Sequence, residues 1–371
     1  MTKIYYISDI NNEMMEKADV FGDIEASKSL AAALASVDEA AGIIRSGGLV
    51  AFPTETVYGL GADAFNEEAV RKVYAAKGRP SDNPMIVHIA RASDIGVLSD
   101  SLSPRMVKLI DAFWPGPLTL VVSKRLNVPD VVTGGLDTVA VRMPDNPAAI
   151  ELIRRAGSPI AAPSANLSGK PSPTKYEHVV RDMDGRIDAI LAGDDCRVGI
   201  ESTVVDITGE VPVILRPGII SADEIAAVID ARVDIDAAVY RRGSACEGFT
   251  DAGAANNESA GSLAPRAPGM KYRHYAPEAE MIVLEGERAK VRKETERLKL
   301  LNEKLGRKVG VLLFEEKTFV EAAHDFFAEL RTLDAEETDL IIAGALSEKD
   351  GVGFAVMNRM MKAAGYNIIR V

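Results

Sequence analysis

Between about Ser36 and Asp230, apolar runs of strand length alternate with stretches whose apolar residues recur at helical spacing, the pattern of an α/β domain. Ser36-Val37-Asp38-Glu39 has the form of a capping box, which predicts a helix that starts there and stops near Gly47-Gly48. Leu49-Val50-Ala51-Phe52 follows as a short buried strand that Pro53 keeps from continuing simply in a central position, and a loop is expected next. Asn66 then caps a helix through Ala69, Val70, Val73 and Tyr74, which share one apolar face. Gly78 and Pro80 end it, leaving Lys77 in the last turn and Arg79 just beyond. Further strands are predicted at residues 85–89, 118–122, 139–143, 160–162, 187–191, 203–207 and 213–215, and helices start at Ser103-Pro104 and Asn146-Pro147, each a cap followed by proline. Residues 231–269 offer little to bury and read as a linker. Beyond them, strands at 281–284 and 309–314 flank a charged helix at 287–305, a small second α/β domain. The expected division is 1–230, then a linker at 231–275, then 276–371.

Bulk properties narrow the function classes. A chain of 371 residues exceeds one ordinary core, in keeping with two domains. A net charge of −12 has the wrong sign for holding nucleic acid over the whole surface, so any basic surface is local. Cys196 and Cys246 form no CxxC pair and have no histidine cluster beside them, which argues against a disulfide framework or a zinc site and suits a reducing compartment. The start of the chain carries no basic, then apolar, leader and no later run has the length of a membrane span. A cytoplasmic protein with no membrane partner is expected.

Candidate chemistry gathers in three places. Pro53 to Ala62 precedes Lys77-Gly78-Arg79-Pro80-Ser81, where two cations one glycine apart suit an anion such as a nucleotide phosphate. Taken alone, the same cations could simply favour the dipole of a helix end. Ala162-Pro163-Ser164-Ala165-Asn166-Leu167-Ser168-Gly169-Lys170-Pro171-Ser172 is a polar loop of small residues after a buried strand, either a ligand-binding loop at the carboxyl end of a sheet or an ordinary proline-rich turn. The third group is Thr138 and Arg142 with Glu201-Ser202-Thr203 and Leu215-Arg216-Pro217-Gly218. An arginine inside a strand needs a partner, so Arg142 is expected to meet a carboxylate or phosphate, of the protein or of a substrate.

Lys77-Gly78-Arg79 together with Ser164-Ala165-Asn166 resembles the KxR and SxN signature of the YrdC-like threonylcarbamoyl-AMP synthases. PTETVYGLG, RPSDNPMIVHI, WPGPLT, GLDTVAVRMP, APSANLSGKPSPT, ESTVVD and LRPG are similar to that family in order and spacing. HYAP at 274–277 and the GxGFAxMNR stretch at 351–359 further resemble its longer, two-domain branch. The resemblance implies an open twisted mixed sheet with helices plus a smaller Rossmann-like α/β domain. It also implies an activity: ATP, L-threonine and bicarbonate give threonylcarbamoyl-AMP and pyrophosphate, for tRNA modification at the adenosine next to the anticodon by a downstream transferase. In that reaction a labile carbamate must be aligned with the α-phosphorus and the phosphate charge stabilised, so no protein nucleophile is needed. The resemblance places Lys77 and Arg79 as the catalytic pair. They contact ATP with Ser81, Thr138, Ser164, Asn166, Ser172, Arg216 and Tyr275, and Mg2+ is carried by the ATP. Thr54, His88, Arg142, Ala162 and Ser202 fall to threonine, Arg142 forking its carboxylate. The strip from Lys271 to Pro277 is implied to fold over the cavity as a lid anchored by the second domain.

Other patterns carry less. Gly59-x-Gly61-x-x-Ala64 has a dinucleotide-loop spacing, but six residues separate the strand from its first glycine. No P-loop occurs. His88 lies among Ile86, Val87 and Ile89, as a core histidine would, while His178 and His324 are expected in solvent and Trp114 in packing. An RNA-binding module with a local basic cavity remains an alternative, with weak RNA binding its mark. A thiol-carbamoylating enzyme would need zinc-finger segments that two cysteines cannot supply.

Overall fold

In the computed structural model, which describes residues 1–7, 10, 24–100, 102–240, 275–315, 317–346 and 351–371, the predicted alternation forms one large mixed sheet. Its strands are β1 (Lys3–Tyr6), β2 (Val50–Phe52), β3 (Gly59–Asp63), β4 (Ile86–His88), β5 (Leu118–Ser123), β6 (Thr138–Arg142), β7 (Ile160–Ala162), β8 (Ala189–Ala192), β9 (Thr203–Asp206), β10 (Val213–Arg216) and β11 (Asp234–Ile235). Their order across the sheet is β1-β8-β2-β3-β7-β4-β6-β5-β9-β10-β11. The central strands are short apolar runs buried on both faces, as helix-covered strands must be.

Three local features depart from the expectation. The first described helix, α1 (Ile24–Arg45), begins well before Ser36, whose hydroxyl donates to Ala32 O at 3.3 Å from within the helix. One apolar stripe, Leu30, Ala33, Val37, Ala40, Ala41 and Ile44, runs through that point into the core, so burial overrides the local cap signal. The expected loop after Pro53 contains β3. There Gly61 serves close packing: a Cβ at that position would sit 2.7 Å from Ile160 Cγ2 and 2.8 Å from Phe52 Cε1. At the other end of the domain, β11 pairs in parallel with β10, extending the sheet past residue 230. Residues 241–274, including Lys271 to His274 of the strip, lie outside the described residues.

The helix α2 (Glu67–Lys77) forms as predicted, with Asn66 Oδ1 accepting from Ala69 N at 3.1 Å and Gly78 closing the end at φ 63°. α3 (Pro104–Phe113) and α4 (Pro147–Ala156) start at the expected cap-proline pairs, and α5 (Tyr176–Met183) and α6 (Ala222–Ile229) complete the helices of eight or more residues in this domain.

The second domain comprises β12 (Glu280–Glu285), α7 (Arg288–Lys304), β13 (Val309–Leu312), α8 (Phe319–Ala335), β14 (Leu340–Gly344), α9 (Gly351–Ala363) and β15 (Ile368–Arg370). Its sheet is parallel throughout, in the order β13-β14-β12-β15. Its main core is shared: Val57, Val198 and Ile200 of the first domain pack with Tyr275, Phe326, Phe327 and Met360. Beside it Arg331 of α8 pairs with Asp182 of α5 at 2.8 Å, both side chains almost fully buried. Gly199, at φ 82°, faces the backbone of α8 so closely that a Cβ would meet His324 Cα at 2.4 Å. Gly199→Ala is therefore expected to destabilise the chain by about 1–3 kcal/mol through strain and overpacking. Gly96→Ala, where a Cβ meets nothing within 4 Å, should be close to neutral. Denaturant midpoints of the two variants check this.

Candidate active site

The end of α2 and the loop after β7 are joined by one side chain. Lys77 is 4% exposed, and its Nζ donates to Ser164 O and Asn166 O, each at 2.5 Å. Ser168 N returns a bond to Lys77 O at 2.9 Å. Within the loop Ser164 Oγ donates to Asn166 Oδ1 at 2.6 Å, and Asn166 Nδ2 donates to Leu167 O and Lys170 O. Burial pushes the Lys77 ammonium well below its ordinary pKa, and neighbouring Arg79 adds to the effect. The Arg79 guanidinium is likewise pushed down to about 10, chiefly by burial. Its Nη2 donates to Pro84 O at 2.8 Å and its Nη1 is buried without a partner. Buried cations whose bonds go to carbonyls are short of negative charge, and an anion supplies it.

Strand register sets Arg142 at a different place. His88 of β4 pairs with Arg142 of β6 on one side and Ile160 of β7 on the other, so Arg142 lies level with the start of β7, whereas Lys77 reaches past its end. Arg142 Nη1 donates to Thr56 Oγ1 at 2.9 Å and Nε to Gly116 O at 3.2 Å. Its Nη2 is 2.7 Å from Glu55 Oε1, close enough for an ion pair but not aligned as a hydrogen bond. The carboxylate expected for Arg142 is thus already present in the protein. Thr54, two residues from Thr56, shares a 2.9 Å hydroxyl contact with it. The His88 ring is held neutral, its pKa pushed down to about 3 by burial and then by Arg142, and its Nδ1 has no partner. His88 is a buried histidine that also lines the cavity.

A third wall comes from the joint between the domains. Tyr275 sits at φ 67° and is 6% exposed, its ring 5.2 Å from that of Phe327, and burial pushes its hydroxyl up to about 12. Ala276 N donates to Gly169 O at 2.8 Å, and Lys170 pairs with Glu278 at 2.9 Å, so the end of the strip is fastened to the loop that holds Lys77.

Together these walls line one small cavity of about 80 Å³ at the joint between the domains. Lys77, Arg79, Ser164, Asn166, Ser172, Arg216, Tyr275, Thr54, His88, Arg142 and Ala162 all line it. Three expected site residues do not. Ser81 is exposed in the turn after Arg79. Thr138 is at the opposite end of β6 from Arg142, paired with Ser123. Ser202 is fully buried behind the wall, bonded to Thr119 at 2.7 Å and accepting from Arg216 Nη2 at 3.1 Å.

The sequence reasoning assigned no role to Glu55, Thr56, Glu201 or Lys170. A charged residue between threonines, as in Thr54-Glu55-Thr56, was the available signal, because a loop with small neighbours can turn a carboxylate inward. His178 also differs from expectation: it is half-buried, its Nδ1 accepts from Thr174 N at 3.3 Å, and burial pushes its pKa down to about 4. His324 is exposed and Trp114 packs on the core with Nε1 donating to Leu118 O at 2.7 Å, both as expected. Among the described residues no group of three or more His, Cys, Asp or Glu side chains could hold a metal ion, and no helix is long and apolar enough to cross a membrane.

Comparison with known proteins places this architecture. Residues 42–218 match the Sua5/YciO/YrdC family, described as telomere recombination, and residues 220–365 match the family described as threonylcarbamoyl-AMP synthase, C-terminal domain. A threonylcarbamoyl-AMP synthase of Pyrococcus abyssi is 48% identical, covering 90% of this chain and 95% of its own, and one of Bacillus subtilis is 45% identical over 90% and 94%. The crystal structure of P. abyssi Sua5 complexed with L-threonine superposes with a TM-score of 0.81 at 47% identity, covering 91% of this chain and 96% of that one. With both domains matched and a cavity at their joint, this chain belongs to the threonylcarbamoyl-AMP synthase family.

Proposed function

We propose that the cavity holds MgATP between the cations of Lys77, Arg79 and Arg216, holds L-threonine beside Arg142, and joins the two through bicarbonate. The enzyme forms threonylcarbamoyl-AMP. The threonine amine adds to bicarbonate with loss of water, a carbamate oxygen then attacks the α-phosphorus, and the bond to the bridging oxygen breaks as pyrophosphate leaves. The observation that carries the reading is the pair of Lys77 and Arg79, both buried, short of negative charge, and fixed in the wall of one cavity with Arg142. Fixed cations stabilise phosphate charge in the transition state without reorganising.

At the nucleotide end, Ser164, Asn166 and Ser172 bound the phosphates, and Tyr275 covers them. Ser81 and Thr138 make no direct contact in this arrangement, and Ser202 acts through Arg216. Magnesium enters on the substrate's phosphates. At the threonine end, Glu55 sets the direction of Arg142, and Nη2 keeps a donor for the amino acid's carboxylate. Thr54, Thr56, neutral His88 and Ala162 complete that pocket. The strip ending in Tyr275 closes over the nucleotide as a lid, excluding water from a carbamate and a mixed anhydride that both hydrolyse readily. The product passes to a separate transferase that modifies tRNA.

Pyrophosphate release is expected to require ATP, L-threonine and bicarbonate together, and release that persists when threonine is omitted would contradict the function. Lys77→Ala and Arg79→Ala should each lower kcat/KM by about a hundredfold or more, the size of a lost transition-state charge contact. Steady-state kinetics with circular dichroism separates that loss from unfolding. Arg142→Lys should raise the KM for threonine several times more than that for ATP, because an ammonium cannot reproduce a forked contact. Equal rises in both constants would count against the assignment.

A further inference from the structure

Behind the nucleotide end of the cavity, a cluster of buried ionisable side chains includes two, Arg359 and Glu201, that take no part in the chemistry above. Its centre is Arg359, contributed by α9 of the second domain and 0% exposed. Its Nε lies 3.1 Å from Glu201 Oε2, Nη2 donates to Glu201 O at 3.4 Å, and Nη1 donates to Pro217 O and, at 3.2 Å, to Ala355 O. The guanidinium therefore grips two segments of the first domain, the one leading into Ser202 and the one leaving Arg216. Glu201 lines the cavity, and its other oxygen, Oε1, accepts the hydroxyl of Ser172, which also lines it. Arg216 donates to Ser202 O and Ser202 Oγ, each at 3.1 Å. Burying a guanidinium is costly unless its donors are taken up, and these donors are taken up by groups of the cavity wall.

We propose that Arg359 is a positioning residue for nucleotide binding: it holds the Glu201 carboxylate in the cavity wall, and through Glu201 and Pro217 it sets Ser172 and Arg216 against the nucleotide. The inference rests on the reading of this end of the cavity as the MgATP site. It makes the second domain a structural part of the first domain's site, in addition to anchoring the strip.

The electrostatics give the idea its handle. Glu201 is faced by Arg359 and Lys362 of α9, Arg216 of β10, Tyr275 and Ser172. Burial pushes its carboxyl up, while Arg359, Arg216 and the Ser172 hydroxyl together bring it below the ordinary value. Arg359 is the first of those opposing influences, so its removal raises the pKa and protonates Glu201 at a higher pH. Lys362, one turn along α9, is pushed down to about 8 by burial and by Arg359 and Arg216, so it keeps its charge at neutral pH and offsets only part of what is lost with Arg359, which itself bonds Glu201 and Pro217.

The experiment uses the full chain, with MgATP binding followed by calorimetry and turnover by pyrophosphate release across pH. Arg359→Met should raise the Kd and KM for MgATP about tenfold, leave the KM for threonine within about twofold, and move the acid limb of kcat/KM for ATP to higher pH. Adding Glu201→Gln to that variant should bring MgATP affinity back to within about threefold of the wild type, because the amide needs no counter-ion and still accepts from Ser172. Arg359→Lys, which keeps the charge but loses the grip on Pro217 O, should keep the acid limb in place and weaken MgATP by a smaller factor. If Arg359→Met weakens ATP and threonine equally, leaves the acid limb unmoved, and is not rescued by Glu201→Gln, the residue only holds the domains together and the proposal is overturned. Should Arg359→Met not fold, Arg359→Lys carries the decision: a rise in the KM for ATP alone supports the proposal, and equal change or no change in both constants overturns it. A wild-type chain that binds MgATP yet forms no adenylate would overturn the reaction instead, leaving Arg359 to be judged on the MgATP Kd.

Discussion

The structure turns on the burial of the Lys77 ammonium against the carbonyls of Ser164 and Asn166. A cation taken from water needs compensation, and two carbonyl dipoles give only part of it, which is why its pKa falls so far. The arrangement fixes the end of α2 to the loop after β7, so the two segments richest in candidate chemistry form one wall. It also leaves that wall wanting an anion. Arg79 repeats the theme with an unpartnered Nη1, and two such groups side by side repel one another until a polyanion arrives. In the proposed function, stability given up in the empty site becomes binding and catalytic selectivity for the phosphates.

The same loop is where the second domain attaches. Leu167 N donates to Asp182, Asp182 pairs with Arg331, and Arg331 also donates to Pro171 O at 2.5 Å. Gly169 O receives Ala276 N. A shift of the second domain would therefore be felt first by the residues that carry Lys77. Because Val57, a residue of the cavity wall, lies in the second domain's core with Phe326 and Phe327, the two domains share apolar burial and not only polar contacts. An interface built like a core moves as a unit, and Tyr275 is part of that core, so the end of the strip is tied to both domains.

Much of this was legible in the sequence where local chemistry decides the outcome. The Asn66 cap, the Gly78 stop and the cap-proline starts at Ser103 and Asn146 act within a turn, and they were read correctly because nothing distant competes with them. The reading failed where tertiary packing wins. Ser36-Val37-Asp38-Glu39 is a sound cap signal lying on the buried stripe of a longer helix, and Gly59-Leu60-Gly61 looks like a loop because glycine hides the close packing that makes it a strand. Within the site, the cations were visible because arginine and lysine beside glycine and proline are conspicuous. Their carboxylate partners were not. Glu55 and Glu201 are single acidic residues in polar loops, and apart from the threonines on either side of Glu55 nothing in the sequence separates them from solvated ones; the fold turns them inward. Thr138 and Ser202 stand off the cavity for different reasons: Thr138 shares a face of β6 with Arg142 but lies a strand's length away, and Ser202 is turned to Thr119 and Arg216.

The charge distribution makes sense of this division of labour. The chain as a whole carries −12, yet Lys77, Arg79, Arg142 and Arg216 meet at one cavity. Seen from a distance the molecule repels nucleotide and RNA alike, but at physiological ionic strength that repulsion is screened beyond a Debye length of about 8 Å. Inside the cavity, walls of low polarisability leave the cations largely unscreened, so discrimination is made at short range. A compact anion such as a triphosphate can enter and collect all of that attraction, whereas a nucleic acid backbone must also lie along the acidic exterior. Glu55 and Glu201 then act as fixed internal counter-charges. Each holds an arginine in place without cancelling the cavity's net positive character, so the site stays folded when empty and remains attractive to its substrate.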